Sequence, residues 1–105
     1  LCANQICPSA HIPEQDQLNA AQSGAWVQNM PAQVDYIVQQ MQANPKIDYK
    51  NDWKLVNLLI GANNLCWSCM NDFKVIDSAD FFESNLTETM TLVCQISRVE
   101  ARLTL

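Results

Sequence analysis

Apolar positions recur at helical spacing twice along this chain and run together once in between. After Pro31, the residues Val34, Ile37, Val38 and Met41 fall on one helical face, with glutamines and aspartate on the other. Proline suits a first helical turn, and the residue before a proline disfavours helix. The spacing therefore predicts a helix from Pro31 that stops by Asn44, ahead of Pro45. The second stripe is Phe82, Leu86, Met90, Val93 and Ile96. It predicts a helix capped by Asp77 or Ser78 and running to about Ile96. Between the two lies Leu55 to Ile60, apolar except at Asn57 and closed by Gly61. That run is too short for a helix and does not alternate. It reads as a strand covered on both faces, as in a mainly parallel sheet. The tail from Val99 to Leu105 does alternate, and reads as a further strand that is just beginning.

The remaining segments are irregular. Residues 1–17 lack periodicity and are broken by Pro8 and Pro13, so they read as a loop-rich arm. Leu18 to Trp26 is rich in small residues, and its Gly24 is placed to follow a short strand. Lys46 to Asp52 is a polar connector, and Met70 to Ile76 shows no pattern. Helix, connector and buried strand make half of a βαβ unit. The expected class is α/β with a mainly parallel sheet that is incomplete in this chain, because one clear strand and two candidates are few for such a sheet. No repeat, low-complexity tract or linker divides residues 1–105. They form one partial unit: an arm (1–17), a core (18–70), then a helix and strand start (71–105).

Composition narrows the function. The chain has 105 residues, 49% apolar, with a net charge of −5 and a mean hydropathy of −0.10. That suits one small globular domain. No Lys/Arg cluster occurs, which argues against nucleic acid as a partner. No apolar run approaches the roughly 18 residues a membrane span needs. Five cysteines (Cys2, Cys7, Cys66, Cys69, Cys94) and the sequon Asn85-Leu86-Thr87 lean towards an oxidising compartment: secreted, on an extracellular membrane face, or in a secretory or lysosomal lumen. The chain begins Leu-Cys rather than Met, which reads as a processed piece or a fragment. His11 has no second ligand or acid at metal spacing, and reads as a surface or packed loop histidine. No cofactor or metal is implied. Asn63, at the carboxyl end of the central strand, is either a turn residue or a positioned amide donor.

Several features together carry a resemblance to a known family. They are Asn19-Ala-Ala-Gln-Ser-Gly24-Ala, then Met30-Pro-Ala-Gln33 with its helix. The longest is Asp52-Trp-Lys-Leu-Val-Asn-Leu-Leu-Ile-Gly61-Ala-Asn-Asn-Leu-Cys66-x-x-Cys69. A bare Gly-x-Asn signals nothing. The long match, at the right distance after the glycine block, resembles the phospholipase B-like branch of the GDSL or SGNH hydrolases, over roughly half the chain. The resemblance implies a three-layer fold and acyl-ester hydrolysis by serine, histidine and aspartate. It implies that the Gly24 N–H and the Asn63 side chain stabilise the oxyanion. An amide NH₂ suits that task, because it donates without a charge that would need burying. The resemblance also implies a structural disulfide between Cys66 and Cys69 that clips the loop after Asn63. A redox pair would instead open a helix, and zinc would need a better second pair than Cys2-x4-Cys7. Cys2 and Cys7 can form a second local bridge, which leaves Cys94 over.

The departures matter as much. The usual aspartate after the asparagine is Asn64, a change expected to loosen the loop. No Gly-Asp-Ser precedes Gly24; Asp77-Ser78 comes after both blocks and lacks the glycine. No Asp-x-x-His is present, and the single histidine, His11, lies ahead of both blocks. A hydroxyl without a base is not an activated nucleophile. The isolated chain is therefore expected to be inactive. Either it is a segment of an ester hydrolase acting on lipid or ester substrates, completed by other segments or chains, or it is a non-catalytic structural or binding subunit derived from that fold.

Overall fold

The computed structural model describes residues 10–69, 78–96 and 99–104. In order these form α1 (Pro13–Asp16), a 3-10 turn (Val27–Asn29), α2 (Met30–Ala43), β1 (Lys54–Leu59), α3 (Ala62–Ser68), α4 (Ala79–Cys94) and β2 (Val99–Thr104). The strands β1 and β2 pair in parallel, in a register running from Lys54↔Val99 to Leu59↔Thr104. Parallel neighbours cannot be joined by a hairpin, and here the connection runs through α3 and α4. Cys2, Cys7, Asp77 and the connector 70–76 lie outside the described residues.

The two long helices sit where the stripes put them, and for local reasons. A proline occupies the first turn of α2, and Asn44 turns extended ahead of Pro45. Ser78 caps α4, its side chain accepting the Phe81 N–H at 3.1 Å, and Asp80 in the first turn complements the helix dipole. The helices α2 and α4 pack on each other and on the 3-10 turn. Their stripes meet β1 in one core of Val27, Met30, Val34, Met41, Leu58, Ile60, Val93 and Ile96. Thr89 is fully buried within α4, and its hydroxyl donates to the Asn85 carbonyl at 2.8 Å.

The central strand corrects one expectation. Only one face of β1 is covered: Lys54 and Leu58 are buried, while Leu55 is 66% and Leu59 77% exposed. Trp53, two residues ahead of Leu55, is 75% exposed. Successive strand residues point to opposite faces, so these side chains share one side of the sheet. The apolar run is that of a doubly covered strand, but among the described residues only one layer of helices is supplied. At the strand's start the Lys54 side chain is buried. It donates to the Tyr49 and Asp52 carbonyls at 2.6 Å each, and lies 5.1 Å from the Tyr49 ring centre. The turn before it is tied by Asp48, which accepts from Asn51 and Lys50. The Asn51 side-chain bond leads the effects that hold the Asp48 carboxyl below its usual range.

Two other expectations change. No strand precedes Gly24 among the described residues. Leu18 to Ala25 is a succession of turns, with the Ala21 N–H on Asn19 Oδ1 at 3.0 Å and the Ala25 N–H on the Gln22 carbonyl at 3.2 Å. The residues after Gly61 form α3 rather than a loop.

Candidate functional site

The site is built where the start of α3 meets the segment before α2. Gly61 ends the central strand at φ 119° and serves as the N-cap residue of α3, its carbonyl accepting the Leu65 N–H at 2.9 Å. Only a residue without a Cβ adopts that backbone readily. The turn aims the next two polar side chains back across the molecule. Asn63 Nδ2 donates to the Ala25 carbonyl at 2.7 Å, and Asn64 Oδ1 accepts the Val27 N–H at 3.0 Å. Trp26 is buried and meets Trp67 of α3 edge-to-face, with centroids 5.6 Å apart. Asn29 Oδ1 accepts the Trp26 N–H at 2.8 Å, which fixes the entry to the 3-10 turn.

The two expected oxyanion residues are thereby brought into one neighbourhood. Gly24, at φ 79°, immediately precedes the carbonyl-bearing Ala25 that Asn63 grips. One hydrogen of the Asn63 amide is committed to Ala25. An amide nitrogen carries two, and the side chain stands at the surface.

Asn64, standing in for an acid, is expected to loosen the loop, and the geometry corrects that. It is 5% exposed and supplies the acceptor for a buried backbone N–H. An aspartate oxygen would make the same bond. Its own carbonyl takes the Ser68 hydroxyl at 2.9 Å. Asn64→Ala is expected to lower stability by about 2 kcal/mol, because the Val27 N–H is left buried and unpaired. Asn64→Asp should cost well under half of that. Urea midpoints of the two variants check it; equal losses would show that the acceptor is not what matters.

The disulfide clip is also corrected. Cys66 and Cys69 are free, exposed thiols in α3 and at its C-cap, and Cys94 is a free thiol at the end of α4. The segment is held by helical hydrogen bonds and the two asparagine tethers, so it stands without a covalent clip. The sequon asparagine Asn85 is half-buried on α4 and donates its amide to the Phe81 carbonyl at 2.8 Å. A glycan there would displace that bond. Among the described residues no cluster of three or more His, Cys, Asp or Glu side chains could hold a metal, and no helix is long and apolar enough to cross a membrane.

His11 is not brought to this site. Its ring lies flat on Tyr36 of α2, and its Nδ1 stands 3.5 Å from Asp16 Oδ2. Covering of the Tyr36 ring, then its bond to Asp16, pushes the phenol up to about 12. The phenol holds its proton more tightly folded than unfolded. Its contribution to stability is therefore complete below about pH 10, its unfolded value, and is lost as pH rises through about 12. Titration by phenolate absorbance is expected to show the Tyr36 step near pH 12 in wild type, and Tyr36→Phe should abolish it. A Tyr36 step near pH 10 would mean that neither the covering of the ring nor the Asp16 bond persists in solution.

Sequence reasoning missed the tether role of Asn64, the Trp26–Trp67 contact and the Asp16–Tyr36 bond. Each joins residues far apart along the chain and leaves no local pattern.

No family profile and no solved structure matches the chain. About half of the chain is similar to curated proteins named "Phospholipase B1, membrane-associated". The mouse protein is 50% identical over 54 residues, covering 51% of this chain and 4% of the relative. The rat protein is 50% identical over 52 residues, covering 50% and 4%, and the human protein 48% identical over 54, covering 51% and 4%. The chain thus matches only about 4% of the length of these relatives, and that similarity supports a phospholipase-related segment.

Proposed function

We propose that this chain is a segment of a phospholipase B-like ester hydrolase of the GDSL or SGNH type, supplying two oxyanion donors. Gly24 gives a backbone N–H and Asn63 a side-chain N–H. The serine and histidine come from other segments or chains. The observation that carries the reading is the 2.7 Å bond from Asn63 to Ala25, which joins the two blocks across 38 residues. Fixed dipoles at that point would meet the charge that develops on a carbonyl oxygen without reorganising.

The same reading assigns the fold. A parallel strand pair with one bare apolar face is what remains of a three-layer α/β/α arrangement when one helical layer belongs to other segments. Under it the substrate is a lipid or other carboxylic ester, and the setting is secretory or extracellular.

An active-serine fluorophosphonate probe, applied to the native protein that contains this segment, tests the reading. Labelling of a serine outside residues 1–105, with ester turnover, is expected. Neither labelling nor turnover would leave the alternative, a non-catalytic subunit built on the hydrolase core. Labelling within residues 1–105 would overturn the assignment of the nucleophile.

A further inference from the structure

A hollow of about 180 Å³ opens between α1 and the second half of α2. One wall is a single face of α2, where Tyr36, Gln40 and Asn44 recur at every fourth residue. The other wall is Pro13 of α1 with Gln17 and Leu18. The two walls are tied together beside the hollow. Asp16 Oδ2 accepts the Tyr36 hydroxyl at 2.8 Å and the Ile12 N–H at 2.9 Å, and the His11 ring lies flat on Tyr36. The rim is strained. Gln17 and Leu18 sit at φ 45° and 68°, the two non-glycine residues in the left-handed region among those described. Such backbone costs free energy, persists where its surroundings hold it, and gathers at ligand sites. Here the turn is closed by the Asn19 N–H on the Asp16 carbonyl at 2.7 Å.

Three carboxamides border the hollow with groups to spare. The Gln17 and Gln40 side chains make no hydrogen bond among the described residues. Asn44 Oδ1 takes the Lys46 N–H at 3.0 Å, which leaves both hydrogens of its amide. Beside them the Tyr36 ring and Leu18 give apolar surface. No charged side chain among the described residues borders the hollow. An anion would therefore find no cation here, and a cation no carboxylate. A purely apolar ligand would strip water from the amides and give them no partner. What fits is a neutral ring with adjacent hydroxyls and a C–H face. A carboxamide offers a donor and an acceptor side by side, and two neighbouring hydroxyls meet both. The size agrees, because drug-sized ligands occupy about 300 Å³ or more, so this hollow holds a single ring.

We propose that this hollow binds one six-membered polyol ring, a hexose or an inositol. Gln17, Gln40 and Asn44 hold its hydroxyls, and Leu18 and Tyr36 lie against its C–H face. The Asp16–Tyr36 bond sets the two walls at a fixed separation before the ligand arrives. Such a ring can come from a soluble glycan or from a lipid head group, and the recognising chemistry is the same. The proposal does not rest on the oxyanion reading of Gly24 and Asn63.

Titration of the full chain with methyl glucoside, methyl galactoside, methyl mannoside and myo-inositol tests it, followed through the side-chain amide signals by NMR. At least one ring is expected to shift the Gln17, Gln40 and Asn44 amides saturably, with a Kd of about 1 mM, as suits so small a ligand. The Asn51 amide, bonded to Asp48 at 2.8 Å, should not move. Gln40→Ala should weaken binding about tenfold, the effect of one lost hydrogen bond, and leave the Val93 signal in the core unchanged. Gln17→Gly, which suits the left-handed backbone, should weaken it similarly. Phosphatidylcholine vesicles with and without galactosyl diacylglycerol or phosphatidylinositol separate the sources. Retention on the ring-bearing vesicles alone assigns a lipid head group, and shifts with soluble rings without retention assign a glycan. No saturable shift at the three amides with any ring overturns the proposal, and so does wild-type affinity in both variants. The readout is binding and not turnover, so failure of the hydrolase reading would leave this result standing.

Discussion

Under the proposed ester-hydrolase reading, Asn63→Ala in the native protein that contains this segment is expected to lower kcat by about 10²–10³, with little change in KM. The asymmetry comes from when the donor matters. A carbonyl oxygen in the bound ester accepts weakly; the oxyanion formed from it accepts strongly, so the lost bond is felt mainly at the barrier. The variant also loses the 2.7 Å bond to Ala25, worth about 1 kcal/mol of stability. That loss separates from the kinetic one by assaying well below the melting range. Asn63→Asp sharpens the test. It keeps the size of the side chain, removes both N–H donors and sets a carboxylate beside developing negative charge, so it should be at least as slow as Asn63→Ala. A kcat within a few-fold of wild type in both would reduce Asn63 to a tether for Ala25.

Gly61→Ala should be the most costly single-methyl change in the described chain, at about 3 kcal/mol. Two effects add. The backbone at φ 119° is one that residues with a Cβ adopt only under strain, typically costing about 1–3 kcal/mol. The new methyl would also stand 3.3 Å from Phe82 Cζ and 3.5 Å from Cε2. Phe82 packs against the core from α4, so the ring cannot retreat without disturbing its neighbours. Equilibrium unfolding in urea measures the loss. A cost below about 1 kcal/mol would mean that the turn relaxes and that Gly61 is not conformationally required. Because Gly61 launches α3, the same change should displace Asn63 and, under the proposed reading, lower ester turnover beyond what stability explains.

How much of this was legible depended on whether the cause was local. The limits of α2 and α4 were, because Pro31, Pro45 and Ser78 act on the backbone beside them. The start of β2 at Val99 was legible from alternation alone. The helix α3 was not. Gly61 followed by two asparagines has the chemistry of a turn, and what supports the helix instead is a pair of side-chain bonds to Ala25 and Val27, both far away in sequence. The exposure of Leu55 and Leu59 was illegible for a different reason. A run of apolar residues says what a strand requires, not whether its own chain supplies the cover. In the site, the pairing of Gly24 with Asn63 came from likeness to a family and not from periodicity. The role of Asn64 was hidden because a missing negative charge looks like a lost function until its acceptor oxygen is seen in use.

The bare side of β1 has a practical consequence for anyone who isolates this chain. Leu55 and Leu59 stand exposed on a strand whose partner among the described residues is β2 alone. An uncovered apolar strand with an unpaired edge is a template on which further copies can add. The 105-residue chain by itself should therefore lose solubility as its concentration rises. Charged replacements at Leu55 and Leu59 would be the natural way to keep it in solution while leaving Gly24 and Asn63 in place.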